Sequence, residues 1–290
     1  MREYSSFAVE RSIFIREMVS FFCHSDPPGF VFTGESHNFW EFVVVLDGRA
    51  VICADDKIYH LGKGWAVWHR PGEFHSVKTD GDKALLLGVF SFHGTVKADV
   101  TGKAFKVSDE MIKLFQSLRY EAENILEFEG RRGTLVKDVK PGKKNELTLL
   151  VSRLEYILTM SLMGDSQSPL GNSSGTEENY TRLIETIFTT IKERPSIEDI
   201  AAKCNMSASN AKRVFSKYAG CGISSYCNMV TISEAKKLLH SGKSVGEVSD
   251  ILGFINRNYF SSFFRRITGL SPSEWKKRAK DIEHVYDTYD

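Results

Sequence analysis

Apolar residues recur with helical spacing in two successive segments near the C-terminal end of the chain. The first segment runs from Ile197 to Gly220 and the second from Val245 to Gly269. In each, two groups of four mainly apolar residues fall at positions i, i+3, i+4 and i+7, the buried face of an amphipathic helix. The groups are Ile197, Ile200, Ala201, Cys204 and Ala211, Val214, Phe215, Tyr218 in the first, and Val245, Val248, Ser249, Leu252 and Phe260, Phe263, Phe264, Ile267 in the second. Each segment is therefore predicted to form two helices joined by a short turn.

Residue types that begin and end helices stand at equivalent positions in both segments. Ser196 and Ser244 precede the first helices, and an acidic residue follows each serine three positions later, as in a capping box. Asn205 and Gly253, whose residue types tolerate positive φ, mark the turns. The arrangement predicts two helix-turn-helix units, each able to present its second helix to a DNA major groove. Two ordinary helical hairpins are the alternative, which the repetition disfavours.

Residues 7–95 have the pattern of a β domain. Short β-rich runs alternate with Gly, Asp and Pro turn signals, which predicts an all-β barrel or double sheet. The predicted strands are Phe30–Thr33, Phe39–Leu46, Ala50–Ala54, Trp65–Trp68 and Ala84–Phe92.

Helical spacing returns after Val107. One helix is predicted to about Glu127 and another from Leu147 to Ser161, each with an apolar stripe. The second stripe either packs on the barrel or meets a second copy of the chain. Residues 128–146, which are rich in Gly, Lys and Arg, are predicted to form an exposed basic loop, solvated in preference to bound to DNA phosphates. The turn-forming stretch Gly164–Gly175 is predicted to be a linker.

Two further helices frame the first repeated segment. Apolar residues between Tyr180 and Ile191 predict a helix that ends before Pro195 and braces the first unit. Apolar residues between Tyr226 and Leu239 predict a long helix that ends at Gly242 and connects the two units. A stiff connector is needed if two recognition helices are to enter successive major grooves about 34 Å apart.

Charge is distributed unevenly along the chain. The 290 residues have 42% hydrophobic and 26% charged content and a net charge of +1. Residues 180–280 carry 17 Lys and Arg against 8 Asp and Glu, a balance of +9, so the remainder carries −8. A basic module beside an acidic one favours a polyanionic partner for the C-terminal part alone. The five cysteines lack metal or redox spacing, and neither a signal peptide nor a membrane span is apparent, which predicts reduced thiols in a cytoplasmic protein.

A cluster of candidate ligands lies in the β region. Glu35, His37 and Glu41 alternate along what is predicted to be one strand face, and His75 follows the Pro71-Gly72 turn. Glu35-x-His37-x3-Glu41-x6-Gly48 and Gly64-x6-Pro71-Gly72-x2-His75 resemble the two cupin motifs, with Glu35 where metal-binding cupins carry a histidine. Three interpretations stay open: the polar lining of a small-molecule pocket, which is favoured, a structural histidine with surface acids, and a metal centre at His37, Glu41 and His75.

Residues 180–279 resemble the DNA-binding domain of the AraC/XylS family of bacterial transcription regulators. The resemblance is carried by Ala235–Leu239, Val248–Phe254 and Asn258–Trp275. The N-terminal half is similar to the cupin-like sensor domain of the same family through Glu41, Gly48, Gly64, Pro71-Gly72 and His75. Departures occur at Asn210-Ala211 and Thr231, where an aromatic-leucine pair and an arginine are common.

This resemblance implies a multidomain fold: an all-β cupin-like barrel with flanking helices, then an all-α DNA-binding domain with two helix-turn-helix units. The implied parts are an effector-binding barrel at 1–106, a helical dimerisation segment at 107–163, a linker at 164–178 and a DNA-binding domain at 179–280. It also implies a homodimer, with the second helical stripe as its contact, an effector of carbohydrate type with aromatic acids as the alternative, and RNA polymerase as a further partner.

The outward positions of the two recognition helices are the candidate DNA contacts. Arg and Asn can bond guanine and adenine bidentately, whereas cations further along a helix grip phosphates. The base-contact candidates are Lys212, Arg213, Arg257 and Asn258, the phosphate candidates are Lys217, Arg265 and Arg266, and the set is completed by Ser209, Asn210, Asn256, Ser261 and Ser262.

The function predicted from the sequence is sequence-specific binding of double-stranded DNA by a cytoplasmic transcription regulator, an activator or a repressor, that responds to a small effector. Glu35, His37, Glu41 and His75 are the predicted effector ligands, and no catalytic residue, cofactor or membrane partner is predicted. Two alternatives stay open: a metal-dependent cupin enzyme with an accessory helical domain, and a DNA-binding protein without an effector.

Overall fold

A computed structural model describes residues 7–130, 133–167, 175–219 and 221–277. Strands and two helices make up the part before residue 168, and helices make up the part after residue 174. The strands, all paired antiparallel, are β1 (Ile13–Asp26), β2 (Val31–Glu35), β3 (Trp40–Asp47), β4 (Arg49–Ala54), β5 (Lys57–Gly62), β6 (Trp65–His69), β7 (His75–Thr79), β8 (Leu85–Val96), β9 (Ala104–Lys106), β10 (Leu126–Glu129), β11 (Leu135–Val139) and β12 (Ser166–Gln167). The helices are α1 (Asp109–Ile125), α2 (Lys144–Met163), α3 (Gly175–Thr190), α4 (Ile197–Lys203), α5 (Ala208–Ala219), α6 (Ile223–His240), α7 (Val245–Ile251) and α8 (Arg257–Thr268).

The strands form two sheets that face each other, as the all-β prediction required. The larger sheet has the order β10-β11-β1-β8-β3-β6-β9-β12 and the smaller one the order β2-β7-β4-β5. Strand β3 shows why its sequence is apolar at successive positions. Val43 and Val45 point into the core between the sheets, while Phe42 and Val44 point to the opposite face, which is also buried.

Helices α1 and α2 cover that opposite face of the larger sheet. Phe115 and Leu118 of α1 and Leu150 and Leu154 of α2 join one core cluster with the sheet residues. The α2 stripe that the family resemblance assigned to a dimer contact is therefore buried within its own chain, and that assignment is wrong. Its burial follows from the continuous apolar outer face of the sheet, which an isolated barrel would expose to water.

The expected basic loop at 128–146 is another correction. Strands β10 and β11 form a hairpin here, and β11 extends the edge of the larger sheet beside β1 through the pair Ser20 and Leu135. Gly130 and Gly133, both at positive φ, form its turn. Phe128 and Val136 pack against the sheet core, so sparse apolar positions anchor a strand pair whose outer face is polar.

The outer face of the smaller sheet is apolar as well. Val51, Cys53 and Ile58 belong to a core cluster that otherwise consists of Phe74 and residues from the helical half of the chain. Tyr180 of α3 reaches this face, with its hydroxyl 3.6 Å from Cys53 Sγ. One face of the smaller sheet thus lines the barrel interior, and its other face packs against the first helix-turn-helix unit.

Both predicted helix-turn-helix units are present. Ser196 and Ser244 form complete capping boxes with Asp199 and Glu247 at the starts of α4 and α7. Asn205 and Gly253 adopt positive φ at the turns, as their residue types allow. Every apolar position of the predicted stripes is buried or half-buried except Ile267, which is 38% exposed near the end of α8.

Helix α6 connects two separate cores. Tyr226 and Val230 lie in the core of the first unit, and Ala235 and Leu239 lie in the core of the second. Among the helices of the described residues, none is long and apolar enough to cross a bilayer. Residues 168–174 of the predicted linker, and the predicted domain end at residue 280, lie outside the described ranges.

Candidate functional site

A cavity of about 210 Å³ lies between the two sheets. Apolar side chains form most of its wall, and carboxylate and imidazole groups are concentrated within it. It is lined by Phe22, His24, Asp26, Phe30, Phe32, Glu35, Glu41, Val43, Ile52, His69, His75, Ser76, Val77, Leu87 and Val89. An apolar pocket with a few convergent polar groups is the usual form of a small-molecule site, and this volume suits a compact ligand.

The four predicted effector ligands come together, although not on one strand: Glu35, Glu41 and His75 line this cavity, and His37 lies beside them outside its lining. Glu35 ends β2 in the smaller sheet, Glu41 lies on β3 in the larger sheet, and His37 lies in the crossing segment between them. The expected alternation along a single strand is wrong, because the chain changes sheets at residues 36–39. His75 is opposite Glu35 in the β2–β7 pair, so the two sheets bring the groups together.

Glu41 is held in the interior by a chain of hydroxyl groups. Ser20 Oγ donates to Ser91 Oγ, and Ser91 Oγ donates to Glu41 Oε2, both at 2.8 Å. His75 Nε2 lies 3.2 Å from Glu41 Oε1. Burial opposes ionisation of Glu41, but the adjacent His75 outweighs it and lowers the pKa of the carboxyl to about 2. Burial also opposes the charged form of His75, but Glu41 raises the pKa of that imidazole above its usual value.

His37 is a neutral imidazole fixed by its own loop. Its ring stacks on Phe39 at 3.7 Å, and Nδ1 lies 3.1 Å from the Phe39 carbonyl oxygen. Burial, reinforced by His75, lowers the pKa of His37 to about 3. Its Nε2 lies 3.8 Å from Glu41 Oε2, so a nitrogen lone pair is directed toward the carboxylate.

His69 and Glu73 belong to the same cluster and were missed by sequence reasoning. The His69 ring stacks on His75 at 4.2 Å, and its Nδ1 lies 2.8 Å from Glu73 Oε1. Burial lowers the pKa of His69. The available signal was the closeness of His69, Glu73 and His75 in sequence around the Pro71-Gly72 turn. To use it, one must know that the end of β6 and the start of β7 lie close together.

Connector helix α6 contacts the two loops that flank this cluster. Ser233 Oγ donates to the Gly72 carbonyl oxygen at 2.9 Å, and Lys236 Nζ donates to the Ser36 carbonyl oxygen at 3.3 Å. Those two loops are themselves joined, because the Gly72 amide donates to the His37 carbonyl oxygen at 2.6 Å. The helix that joins the two helix-turn-helix units therefore lies directly on the segments that position His37 and His75.

Phe74 makes a second contact between the halves. Its ring is buried and meets Tyr226 of α6 edge to face at 4.9 Å. The amide of Phe74 donates to Asp55 Oδ1 at 3.0 Å, and Asp55 Oδ2 lies 3.5 Å from Lys237 Nζ. Since Phe74 directly precedes His75, a shift of the His75 backbone at the cavity can be transmitted to Tyr226 of α6 through Phe74.

The predicted DNA contacts form an exposed polar surface on α5 and α8. Ten of the twelve predicted residues are exposed, and Asn210 and Ser261 are half-buried. Three of them take part in side-chain hydrogen bonds: Asn256 caps α8 by accepting from the Tyr259 amide, and Arg213 Nη2 donates to Asn210 Oδ1 at 2.9 Å. Exposed Ile255 and Tyr259 lie beside them and were not predicted, although apolar residues in a recognition turn suit thymine methyl groups.

The two units are also held together by Arg194. This residue adopts positive φ after α3, and its guanidinium lies 4.0 Å from the centre of the Phe254 ring. The Lys192 carbonyl approaches Gly253 so closely that a Cβ at that position would collide with it. Contacts of this kind restrict the relative orientation of the recognition helices.

Comparison with known proteins agrees with this architecture. A model of the AraC-like ligand binding domain matches residues 19–113, and a model of a helix-turn-helix domain matches residues 200–278. The chain is 22% identical over 267 residues to the HTH-type transcriptional activator RhaR of Shigella dysenteriae serotype 1 (strain Sd197), covering 86% of this chain and 88% of that protein. RhaR of Escherichia coli O139:H28 matches at the same identity and coverage over 266 residues.

One solved structure among the matches is a transcriptional regulator from Chromobacterium violaceum, described as one of the AraC-type DNA-binding domain-containing proteins. It is 26% identical, covers 37% of this chain and 96% of its own, and superposes with a TM-score of 0.33.

Proposed function

Because the chain belongs to the AraC/XylS family of transcriptional regulators, with a ligand-binding domain and a DNA-binding domain, we propose that it activates transcription when a small polyhydroxylated effector occupies the barrel cavity. The observation that carries this proposal is the docking of α6 on the loops of the cavity cluster. The helix that sets the spacing of the recognition helices touches the segments that hold the candidate effector ligands.

The cavity lining supports a neutral polyol in preference to an aromatic acid. Glu35, Glu41 and Asp26 supply carboxylate acceptors for hydroxyl groups, while Phe22 and Phe32 supply apolar faces for C–H groups. An anionic ligand would meet these carboxylates and be repelled. Effector binding then shifts the equilibrium between two domain arrangements, one of which matches the operator spacing.

The effector part of the proposal predicts a ligand-dependent rise in stability. A monosaccharide or related polyol at 100 times its Kd is expected to add about 2.7 kcal/mol, because it binds only the folded state. For a protein of this size the melting temperature rises by roughly 4 °C. Thermal-shift measurements across a polyol library detect this.

Two variants test where such a ligand binds. Glu41→Gln is expected to abolish the shift, whereas Glu129→Gln, on the exposed β-hairpin outside the cavity, is expected to keep it. A polyol library without a hit, or a hit indifferent to Glu41→Gln, contradicts the effector assignment. The DNA-binding assignment would stand in that case.

The DNA-binding part predicts protection of two successive major grooves on one side of the duplex. We expect the affinity to fall steeply with salt, because phosphate-bound counterions are released, by roughly 10³–10⁵-fold between 50 and 200 mM if six to ten phosphates are contacted. Footprinting on promoter fragments and a salt titration measure both. A flat salt response or a single protected groove contradicts it.

The remaining expectations from the sequence belong to the same proposal. A homodimer, a cytoplasmic location, contact with RNA polymerase and the division of the chain at residues 106, 163 and 178 are proposed with it. Since the α2 stripe is occupied within the chain, the dimer contact would use the opposite face of the α1–α2 pair, where Tyr120, Leu149 and Tyr156 are exposed. The curated relatives are regulators, which gives the enzyme alternative no support.

A further inference from the structure

The turn of the second helix-turn-helix unit contains one residue that the first unit lacks, and hydrogen bonds identify it. Met206 and Phe254 are equivalent, because the amide of each donates to the carbonyl oxygen five residues earlier, at 2.9 and 3.0 Å. Ser207 and Asn256 are equivalent as well, because each side chain accepts from the amide three residues later, at the start of α5 or α8. Met206 and Ser207 are adjacent, whereas Ile255 separates Phe254 from Asn256. Ile255 is therefore the inserted residue.

The inserted isoleucine is presented to solvent from an anchored stretch of chain. It is 91% exposed, more than any other large hydrophobic residue in the ranges that the structure describes. Phe254 on one side is buried beneath the Arg194 guanidinium, and Asn256 on the other side caps α8. The branched Cβ of isoleucine also restricts χ1. Ile255 thus adds nothing to a core, and its position is fixed by neighbours that do.

The surroundings of Ile255 suit a nucleic acid better than a protein partner. It directly precedes the first turn of α8, where Arg257 and Asn258 are exposed and no residue is acidic. A protein interface of ordinary size has an apolar core made by several residues. Here a single aliphatic side chain lies among cationic and polar groups, with half-exposed Tyr259 as its aromatic neighbour on α8.

The major groove offers a small apolar group that matches such a side chain. Each thymine displays its 5-methyl group there, and aliphatic or aromatic side chains contact it. In helix-turn-helix proteins the N-terminal residues of the second helix contact the base edges. An isoleucine at the entrance to α8 therefore lies where a methyl group of the groove floor can be covered.

We propose that Ile255 contacts the 5-methyl group of one pyrimidine and makes the second unit select thymine at that position. The inference rests on the proposed DNA binding and names a base that one residue of that surface selects. Isoleucine has no hydrogen-bonding group, so the contact recognises the methyl group and not the polar edge of the base. The first unit has no equivalent, because Met206 packs against its own core. The preference is thus confined to one half-site.

The test begins with selection of binding sites from a random duplex library by the full chain. Each thymine of the selected site is then replaced in turn by uracil, which lacks only the 5-methyl group. One replacement is expected to lower the affinity about fourfold, the equivalent of one methyl group left in water. The same replacement is expected to change the affinity of Ile255→Ala by less than about twofold, the usual error of such a cycle.

A second base change separates the methyl group from the rest of thymine. Cytosine at the same position, paired with guanine, is expected to bind weakly, and 5-methylcytosine is expected to restore about fourfold in affinity. Ile255→Ala is expected to bind the two cytosine duplexes equally. Because Ile255 is exposed, its replacement leaves the fold intact. Val9→Ala is the matched control, since it shortens an exposed branched side chain in the other half of the chain and should retain the sensitivity to uracil.

Each comparison is a ratio between two duplexes at one salt concentration and one state of the barrel, so the effector does not enter it. A selected site that tolerates uracil at every thymine overturns the proposal, and so does an Ile255→Ala chain that keeps the full sensitivity. Both results leave the proposed regulator standing. A library from which no site is selected contradicts the proposed DNA binding itself, and this inference with it.

Discussion

Replacing Arg213 with alanine is expected to lower affinity for the specific operator by roughly 5- to 150-fold, which corresponds to the loss of about 1–3 kcal/mol in one bidentate base contact. Arg213 is exposed on the second turn of α5, and Asn210 Oδ1 accepts from its guanidinium at 2.9 Å. That contact orients the side chain before DNA arrives, which reduces the entropy lost on binding. Affinity for an unrelated duplex is expected to change little, because base contacts contribute little there.

Lys217→Ala is the matched control for this measurement. Lys217 is exposed on the last turn of the same helix, further from the groove-facing end. As a phosphate contact it should weaken specific and unrelated duplexes alike and reduce the salt slope by about one. Equal losses on both duplexes for Arg213→Ala would contradict its assignment to a base edge and make it a phosphate contact as well.

Replacing Phe74 with alanine is expected to destabilise the protein by about 3–5 kcal/mol, the usual cost of removing a fully buried phenylalanine. The ring is 1% exposed and fills the space between the smaller sheet and Tyr226. Urea denaturation followed by tryptophan fluorescence measures the loss. Because the ring bridges the two halves, we also expect the single unfolding transition to separate into two.

Two further variants make the result specific. Phe7→Ala removes an equal side chain that is 87% exposed and should change stability by less than about 0.5 kcal/mol. Phe74→Leu keeps an apolar side chain and the fold, but removes the edge-to-face contact with Tyr226. A loss below about 1 kcal/mol for Phe74→Ala would show that the halves do not depend on this ring.

The helical half could be predicted from the sequence in detail. Its caps, turns and stripes are local signals: Ser196 bonds a residue three positions away, and Gly253 is required by its own φ. What could not be predicted is how the two units are held against each other. Arg194 contacts Phe254, which lies sixty residues later in the sequence, and helical periodicity cannot predict a contact between such distant positions.

The barrel shows more clearly how far sequence patterns can predict the geometry of a site. The sequence identified Glu35, His37, Glu41 and His75 as a group, but through a strand face that does not exist, because the chain leaves β2 before His37. The residue types were informative, whereas their geometry depends on two sheets meeting. His69 and Glu73 were missed for the same reason. The apolar stripe of α2 was correctly found, yet its period does not tell which surface it covers.

The smaller sheet has apolar residues on both of its faces, and this limits how such a protein can be rebuilt. Val51, Cys53 and Ile58 would form an exposed apolar surface if the N-terminal half were produced alone. Removal of the helical half would therefore favour aggregation. Chimaeras that graft a foreign sensor onto this DNA-binding half would likewise need to transplant that surface. The two halves of this chain are therefore not independent modules, because both pack on the smaller sheet.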